Sequence, residues 1–335
     1  MKRVLIIGSN GQDGKLLTEQ LLELGCSLCL VSRTKTVLEP QHVDTEFIDI
    51  SNFNSVKLGI ERFNPDEIYY LAAFHHSSED KVPDELELYK KSYEVNAFFV
   101  VHFLEALKQL KSSSRFFYAC SSHVFGNPKD ALQDENTAYR PANVYGMTKL
   151  AGLLACEQYR KQYGVYASVG ILYNHESHYR ARKFISKKII DTAWDIKSGK
   201  QNRLELGSLS ATVDWGYAPD YVRAMQQILA LEKADNFVVA TGEAHTVKDF
   251  VEHVFNSLNL KMEDYVVENG TIMTRSSLPL IGNPNKLKEK TGWKPSVSFN
   301  GMIEKMLEAK SNERTSDSVV FIPTHNQKDK ARKSS

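Results

Sequence analysis

Only four cysteines occur in 335 residues, and no secretory signal accompanies them. A disulfide framework is excluded as the basis of the fold, and a reducing cytoplasm is the expected setting. No apolar stretch approaches the ~20 residues of a membrane helix. The opening MKRVLIIG has a basic start, yet its apolar run stops at Gly8, too soon for a signal peptide. An excess of one charge is also missing. With 42 Lys and Arg against 41 Asp and Glu, the net charge is +1. That leaves no electrostatic footprint for nucleic acid or anionic lipid, so any phosphate binding must be local. Metal-ligand clusters are absent too. Cys26 and Cys29 sit three apart in a strand-like segment, facing opposite sides of a sheet, and read as packing residues. His75 and His76 have no third ligand at helical or hairpin spacing. What remains is a chain of 42% hydrophobic and 25% charged residues, the composition of a soluble globular protein of one large or two ordinary domains.

Over the first 175 residues short apolar runs alternate with amphipathic stretches. Residues 3–7, a run centred on 28–31, and residues 45–50, 67–73, 115–121 and 166–173 read as strands. Helical periodicity covers 12–24, 53–63, 93–110 and 145–163. Alternation of this kind predicts an α/β fold, a doubly wound parallel sheet with helices on both faces. Strands apolar on both sides agree with that. Beyond residue 175 helical patterns dominate, at 183–198, 219–232, 246–258 and 299–310, with 238–242 predicted as a return strand of the same sheet. The expected organisation is a nucleotide-binding domain over 1–175, with a return segment near 214–245. A smaller, mainly helical C-terminal lobe is expected over 176–310, interleaved with it, and a flexible polar tail over 311–335.

VLIIGSNGQDGKLL places Gly8, Gly11 and Gly14 between the first strand and the first helix. The spacing is GxxGxxG, but the physics is that of a dinucleotide turn. Gly8 permits the tight turn, Gly11 lets a pyrophosphate approach, Gly14 lets helix and strand pack closely, and the helix N-terminus favours the anion. After the second strand the chain reads Ser32, Arg33, Thr34 and Lys35, with no acid until Glu39. Arg33 suits a 2′-phosphate, which favours NADP over NAD; the alternative is a solvated loop arginine. Asp49, at the end of the third strand, could accept hydrogen bonds from an adenine amino group.

Tyr145 and Lys149 stand four apart on one face of a predicted helix. An ammonium beside a phenol is expected to lower its pKa from about 10 toward neutrality, making the tyrosine a general base. Ser121 ends a predicted strand one crossover earlier and is placed to hold a substrate hydroxyl.

Together these features resemble the extended short-chain dehydrogenase/reductases, and within them the GDP-mannose 4,6-dehydratases, from residue 2 to about 310. GSNGQDG (8–14), PDEIYYLAA (65–73), GILYNHES (170–177), DWGYAPDYV (214–222) and LIGNPNKLKEKTGWKP (280–295) carry the resemblance. It implies a Rossmann domain with a substrate lobe, the cofactor NADP, a GDP-sugar substrate, and a homodimer or higher homo-oligomer formed through helices 93–110 and 145–163. It also implies catalytic roles for Ser121, Tyr145 and Lys149, and cofactor contacts at Gln12, Asp13, Ile50, Leu71, Ala72 and Ala73. Asn174, Lys188 and Arg275 would face the substrate.

Departures concentrate on the sugar side. The family carries Thr-Ser-Glu where this chain has Ser121, Ser122 and His123, and arginine where it has Val213. The loop after the second strand is shorter than usual, which bears on the family's tetramer contacts. In the family's reaction one glutamate removes the C5 proton and protonates the C6 hydroxyl. A histidine, which ordinarily titrates at about pH 6.5, can move both protons. Three readings stay open: a GDP-hexose 4,6-dehydratase using His123, an NADPH-dependent reductase or epimerase of a GDP-4-keto-6-deoxy sugar, and a non-catalytic nucleotide-binding homologue.

Overall fold

Buried apolar runs of the first half build one parallel sheet in the computed structural model, which describes residues 1–33, 43–44, 48–75, 84–270 and 279–319. Six strands come in chain order: β1 (Arg3–Ile7), β2 (Ser27–Val31), β3 (Val43–Asp44), β4 (Glu67–Tyr70), β5 (Arg115–Ser121) and β6 (Ala167–Leu172). A late strand, β7 (Asn236–Val239), completes the seven-stranded order β7-β6-β5-β4-β1-β2-β3. Every pairing is parallel; Ile7 is in register with both Val31 and Tyr70, and Ser121 with Leu172. The chain reverses direction across the sheet between β1 and β4, and at such a switch point a crevice opens beyond the carboxyl ends of the strands.

Helix α1 (Gln12–Glu23) packs with α7 (Ala218–Ala230). Contacts also join α2 (Phe53–Phe63), α4 (Phe99–Leu110) and α5 (Val144–Tyr163). The turn from β1 to α1 is tight enough to demand glycine. Gly8 has φ +92°, and a Cβ there would lie 2.6 Å from the Ala72 nitrogen; one on Gly14 would lie 2.4 Å from the Gly8 carbonyl. At the start of α5 the Asn143 side chain accepts a 2.8 Å hydrogen bond from the Gly146 amide, fixing the turn that carries Tyr145.

Two apolar cores follow. The first fills the faces of the sheet and includes Leu287 and Trp293, at and just beyond α9 (Asn285–Thr291). The second lies among α6 (Ile185–Lys197), α8 (Val247–Ser257) and α10 (Phe299–Val319), with Trp215 stacked on Phe299.

Three sequence expectations need correction. The strand expected at 45–50 is displaced: β3 pairs Val43 and Asp44 with Leu28 and Cys29, residues 48–49 are not in a strand, and 45–47 lie outside the described residues. The helix expected over 93–110 is instead α3 (Glu85–Tyr93), a π-helical turn (Glu94–Phe98) and α4. The π turn directs the Asn96 side chain inward, where it bonds Phe74 and Thr148. The tail expected from 311 begins as helix, since α10 continues through Val319; residues beyond 319 lie outside the described part. Among the described residues no helix is long and apolar enough to cross a membrane.

Candidate active site

A cavity of about 380 Å³ opens at the carboxyl ends of β1, β4, β5 and β6. One wall is the glycine turn with Gln12 and Asp13 at the start of α1; Leu71 and Ala73 continue it past β4. The opposite wall holds Ser121, His123, Tyr145 and Lys149. Asn174, His175, Arg180 and Phe184 close it from the side of the second lobe. The structure therefore gathers the sequence-predicted Ser, His, Tyr and Lys into one chamber with the glycine turn.

Ser121 ends β5 and its Oγ accepts a 3.3 Å hydrogen bond from the His123 amide. A one-turn 3-10 helix over Ser122–Val124 then swings His123 over Tyr145, ring edge to face with centroids 5.4 Å apart. Burial pushes the Tyr145 phenol well above its ordinary pKa, with Cys120 adding to the rise; Arg180 and a hydrogen bond with Ser121 draw it back. Lys149 is fully buried, and its Nζ donates to the Ala119 carbonyl at 2.8 Å. Its ammonium lies 5.8 Å from the centre of the Tyr145 ring, and burial lowers its pKa to about 8. Helical spacing does bring the pair together, but the expected pull of Lys149 on the phenol toward neutrality is not what the structure has. Burial is the largest influence on the phenol and raises its pKa. The Cys120 thiol, pushed up to about 12 by burial, stays protonated.

The glycine-turn wall is tied to the second lobe by side chains. Gln12 Nε2 donates to the His175 carbonyl (3.0 Å) and its Oε1 accepts from Ser177 Oγ (2.9 Å). His175 Nε2 lies 3.0 Å from both Asp13 oxygens, and its Nδ1 is 2.7 Å from the Tyr173 carbonyl. Because both ring nitrogens face acceptors, the ring is held as imidazolium. Burial disfavours that charge, but the Asp13 carboxylate prevails and raises the His175 pKa, while His175 overcomes burial to lower that of Asp13. Gln12 and Asp13, expected as cofactor contacts, thus also carry a structural link.

The other expected residues are more dispersed. Asn174 lines the cavity from a short strand (Asn174–Glu176). Ala72 packs under Gly8. Ile50 lends its carbonyl to His102, and Asp49 Oδ1 accepts from the Ser51 amide and hydroxyl, which lowers its pKa. Arg33 is exposed at the end of β2, and Lys188 is half-buried on α6 outside the cavity lining. Thr34, Lys35, Glu39, His76 and Arg275 lie outside the described residues. Periodicity and spacing missed His75, Arg180 and Phe184. His75 stands one residue past the Ala-Ala-Phe that ends the β4 segment, and Arg180 three past NHES; proximity to those motifs was the available signal. Among the described residues no His, Cys, Asp or Glu cluster could hold a metal.

A parallel sheet with a glycine turn at one wall of the crevice and Ser, Tyr and Lys at the other defines the short-chain dehydrogenase/reductase class of Rossmann enzymes. The family model for GDP-mannose 4,6 dehydratase matches residues 5–306, and the chain belongs to that family. It is 35% identical to GDP-mannose 4,6 dehydratase 2 of Arabidopsis thaliana over 327 residues, 92% of this chain and 86% of the relative. With GDP-mannose 4,6-dehydratase of Yersinia enterocolitica it shares 29% over 351 residues, covering 92% and 93%. Among solved structures, RMD from Pseudomonas aeruginosa complexed with NADPH superposes with TM-score 0.79 at 22% identity, covering 93% of this chain and all of that one. The dTDP-glucose 4,6-dehydratase of Bacillus anthracis, in complex with NAD, gives 0.80 at 17%, covering 94% and 98%. These two establish the shared fold.

Proposed function

We propose that the protein is an NADP-dependent GDP-mannose 4,6-dehydratase in which His123 takes the position of the family's glutamate. The observation that carries this reading is the placement of His123 beside Ser121 and Tyr145 in the chamber that the glycine turn also lines.

The residues present fit a dinucleotide. Gly11, where a Cβ would meet only the Gly8 carbonyl, leaves the start of α1 open to a pyrophosphate, and Arg33 supplies a cation after β2 for a 2′-phosphate. Gly11, Leu71, Ala73, Tyr145 and Lys149 would hold the remainder. The chemistry such a dinucleotide would supply is hydride transfer, from C4 of the sugar and later back to C6. Tyr145 removes the O4 proton, with Ser121 sharing a hydrogen bond with the phenol and Arg180 favouring its charged form. The C4 ketone acidifies the C5 proton, and His123, as neutral imidazole, accepts it. Elimination of the C6 hydroxyl follows. Asn174 and Arg180, at the lobe side of the cavity, are placed to orient the sugar and its diphosphate.

Incubation with GDP-mannose and a trace of NADP+ is expected to give a GDP-linked product lighter by one water in the mass spectrum. An enzyme that never eliminates water, at any pH, would contradict the proposal. His123→Ala should reduce turnover by about 10²-fold or more while the protein still binds the cofactor.

Exposed apolar side chains support a homodimer. Phe98 and Leu154 are 59% and 48% accessible on helical segments that pack together, and Met147 is 38% accessible.

A further inference from the structure

The loop after β4 carries a second imidazole into the chamber, and the fold fixes its position. The Phe74 amide donates to Asn96 Oδ1 at 2.8 Å, and Asn96 Nδ2 donates back to the Phe74 carbonyl at 3.0 Å. Asn96, fully buried in the π turn, also bonds Thr148 Oγ1 on α5. One residue further on, Lys183 Nζ donates to the His75 carbonyl at 3.1 Å. The chain is therefore held at His75 and at the residue before it. The imidazole stands edge-on to the Tyr145 ring with centroids 4.7 Å apart, 5.5 Å from Phe184 and 6.4 Å from His123.

We propose that His75 is the acid that protonates the departing C6 hydroxyl, leaving His123 as the base at C5. This assignment rests on the dehydratase reading above. Two rings that flank a sugar ring must stand at least about 7 Å apart, the sum of two van der Waals contacts. At 6.4 Å the imidazoles cannot sandwich the sugar, so both address one side of it. Inversion at C5 would need groups on opposite faces. Loss of the C5 proton together with O6, two bonds away, suits a same-side pair.

The protons balance. His123 takes the C5 proton; His75, as imidazolium, gives its proton to O6, and the C6–O6 bond breaks with its electron pair to release water. The proton on His123 returns to C5 as hydride reaches C6. Tyr145 is left with the O4 proton and His75 is left neutral; loss of the one proton to solvent and uptake of another from it restore both groups. The sugar has lost one water, and the hydride taken from C4 is spent at C6.

Two assays separate the roles. Exchange of the C5 hydrogen of a GDP-4-keto-6-deoxy sugar in D2O, followed by NMR, reads the base without any hydride step. Water loss from GDP-mannose reads the acid as well. His75→Phe keeps the ring packing and is expected to retain exchange while slowing water loss about 10²-fold or more. His75→Glu should recover part of the loss, and His123→Asn should lose both activities. A His75→Phe enzyme that eliminates water at the wild-type rate overturns this assignment alone. So does one that loses exchange together with elimination, with His75→Glu no better, because His75 is then scaffold. Wild-type enzyme that fails to eliminate water overturns the dehydratase reading and this assignment with it.

Discussion

Lys149 carries an ammonium into the buried floor of the active site, and that burial has a thermodynamic signature. Its pKa falls to about 8 from 10.5. Below pH 8 the folded and unfolded chains both hold the proton, and the folded state bears the full desolvation cost. Between 8 and 10.5 the folded state sheds its proton first, so the cost shrinks as pH rises. Lys149→Met is therefore expected to be inactive yet more stable than wild type at pH 7, by about 3 °C in Tm. The advantage should narrow between pH 8 and 10.5 in parallel melts. A less stable variant, or a gap insensitive to pH, would contradict the account. At this scale Ser121, Tyr145 and Lys149 were legible because helix period and strand end are local properties. The burial that raises Tyr145 was not, since it depends on strands and lobes distant in sequence. His75 was hidden for the same reason: the Asn96 bonds, made through an unforeseen π turn, and the Lys183 bond to its carbonyl place it against Tyr145.

Among the elements, the decisive contact joins the start of α1 to the NHES segment. Asp13 and His175 form a buried ion pair, and His175 stacks on Tyr221 with centroids 4.6 Å apart. Removing one partner strands the other in low dielectric, so Asp13→Asn should cost about 3 kcal/mol of stability. The pH dependence follows from the shifts. The raised pKa of His175 gives stability fully present below its ordinary 6.5 and lost as pH rises through the raised value. The lowered pKa of Asp13 gives stability present above 3.8 and lost as pH falls through the lowered value. The difference between wild type and Asp13→Asn in urea unfolding should be widest between those limits; a flat difference would argue against the imidazolium. Motif residues outside the cavity have comparable structural duties. Asp214 of DWG accepts from the Thr241, Gly242 and Gly282 amides, tying the end of β7 to the LIGNP segment. Most strands and helices were legible because their apolar runs are bounded by turn residues. β3 was misplaced because FIDI is apolar enough in sequence for a strand, whereas residues 48–51 form a loop in which Asp49 accepts from the Ser51 amide.

For the whole molecule, one crevice is lined by segments far apart in the chain, from the glycine turn after β1 to Arg180 and Phe184 beyond β6. The α/β class was legible because alternation is a global pattern. The dimer is a separate expectation: Phe98→Glu or Leu154→Glu should yield monomers in light scattering, whereas an unchanged mass would remove those helices from the interface. The central claim is that one site oxidises C4, eliminates water and returns the same hydrogen to C6. Supplying GDP-mannose deuterated at C4 with a trace of unlabelled NADP+ tests this directly. The account predicts a product lighter by one water, with the deuterium in its C6 methyl group. Deuterium found in the cofactor pool instead, or sugar recovered without loss of water, would contradict it.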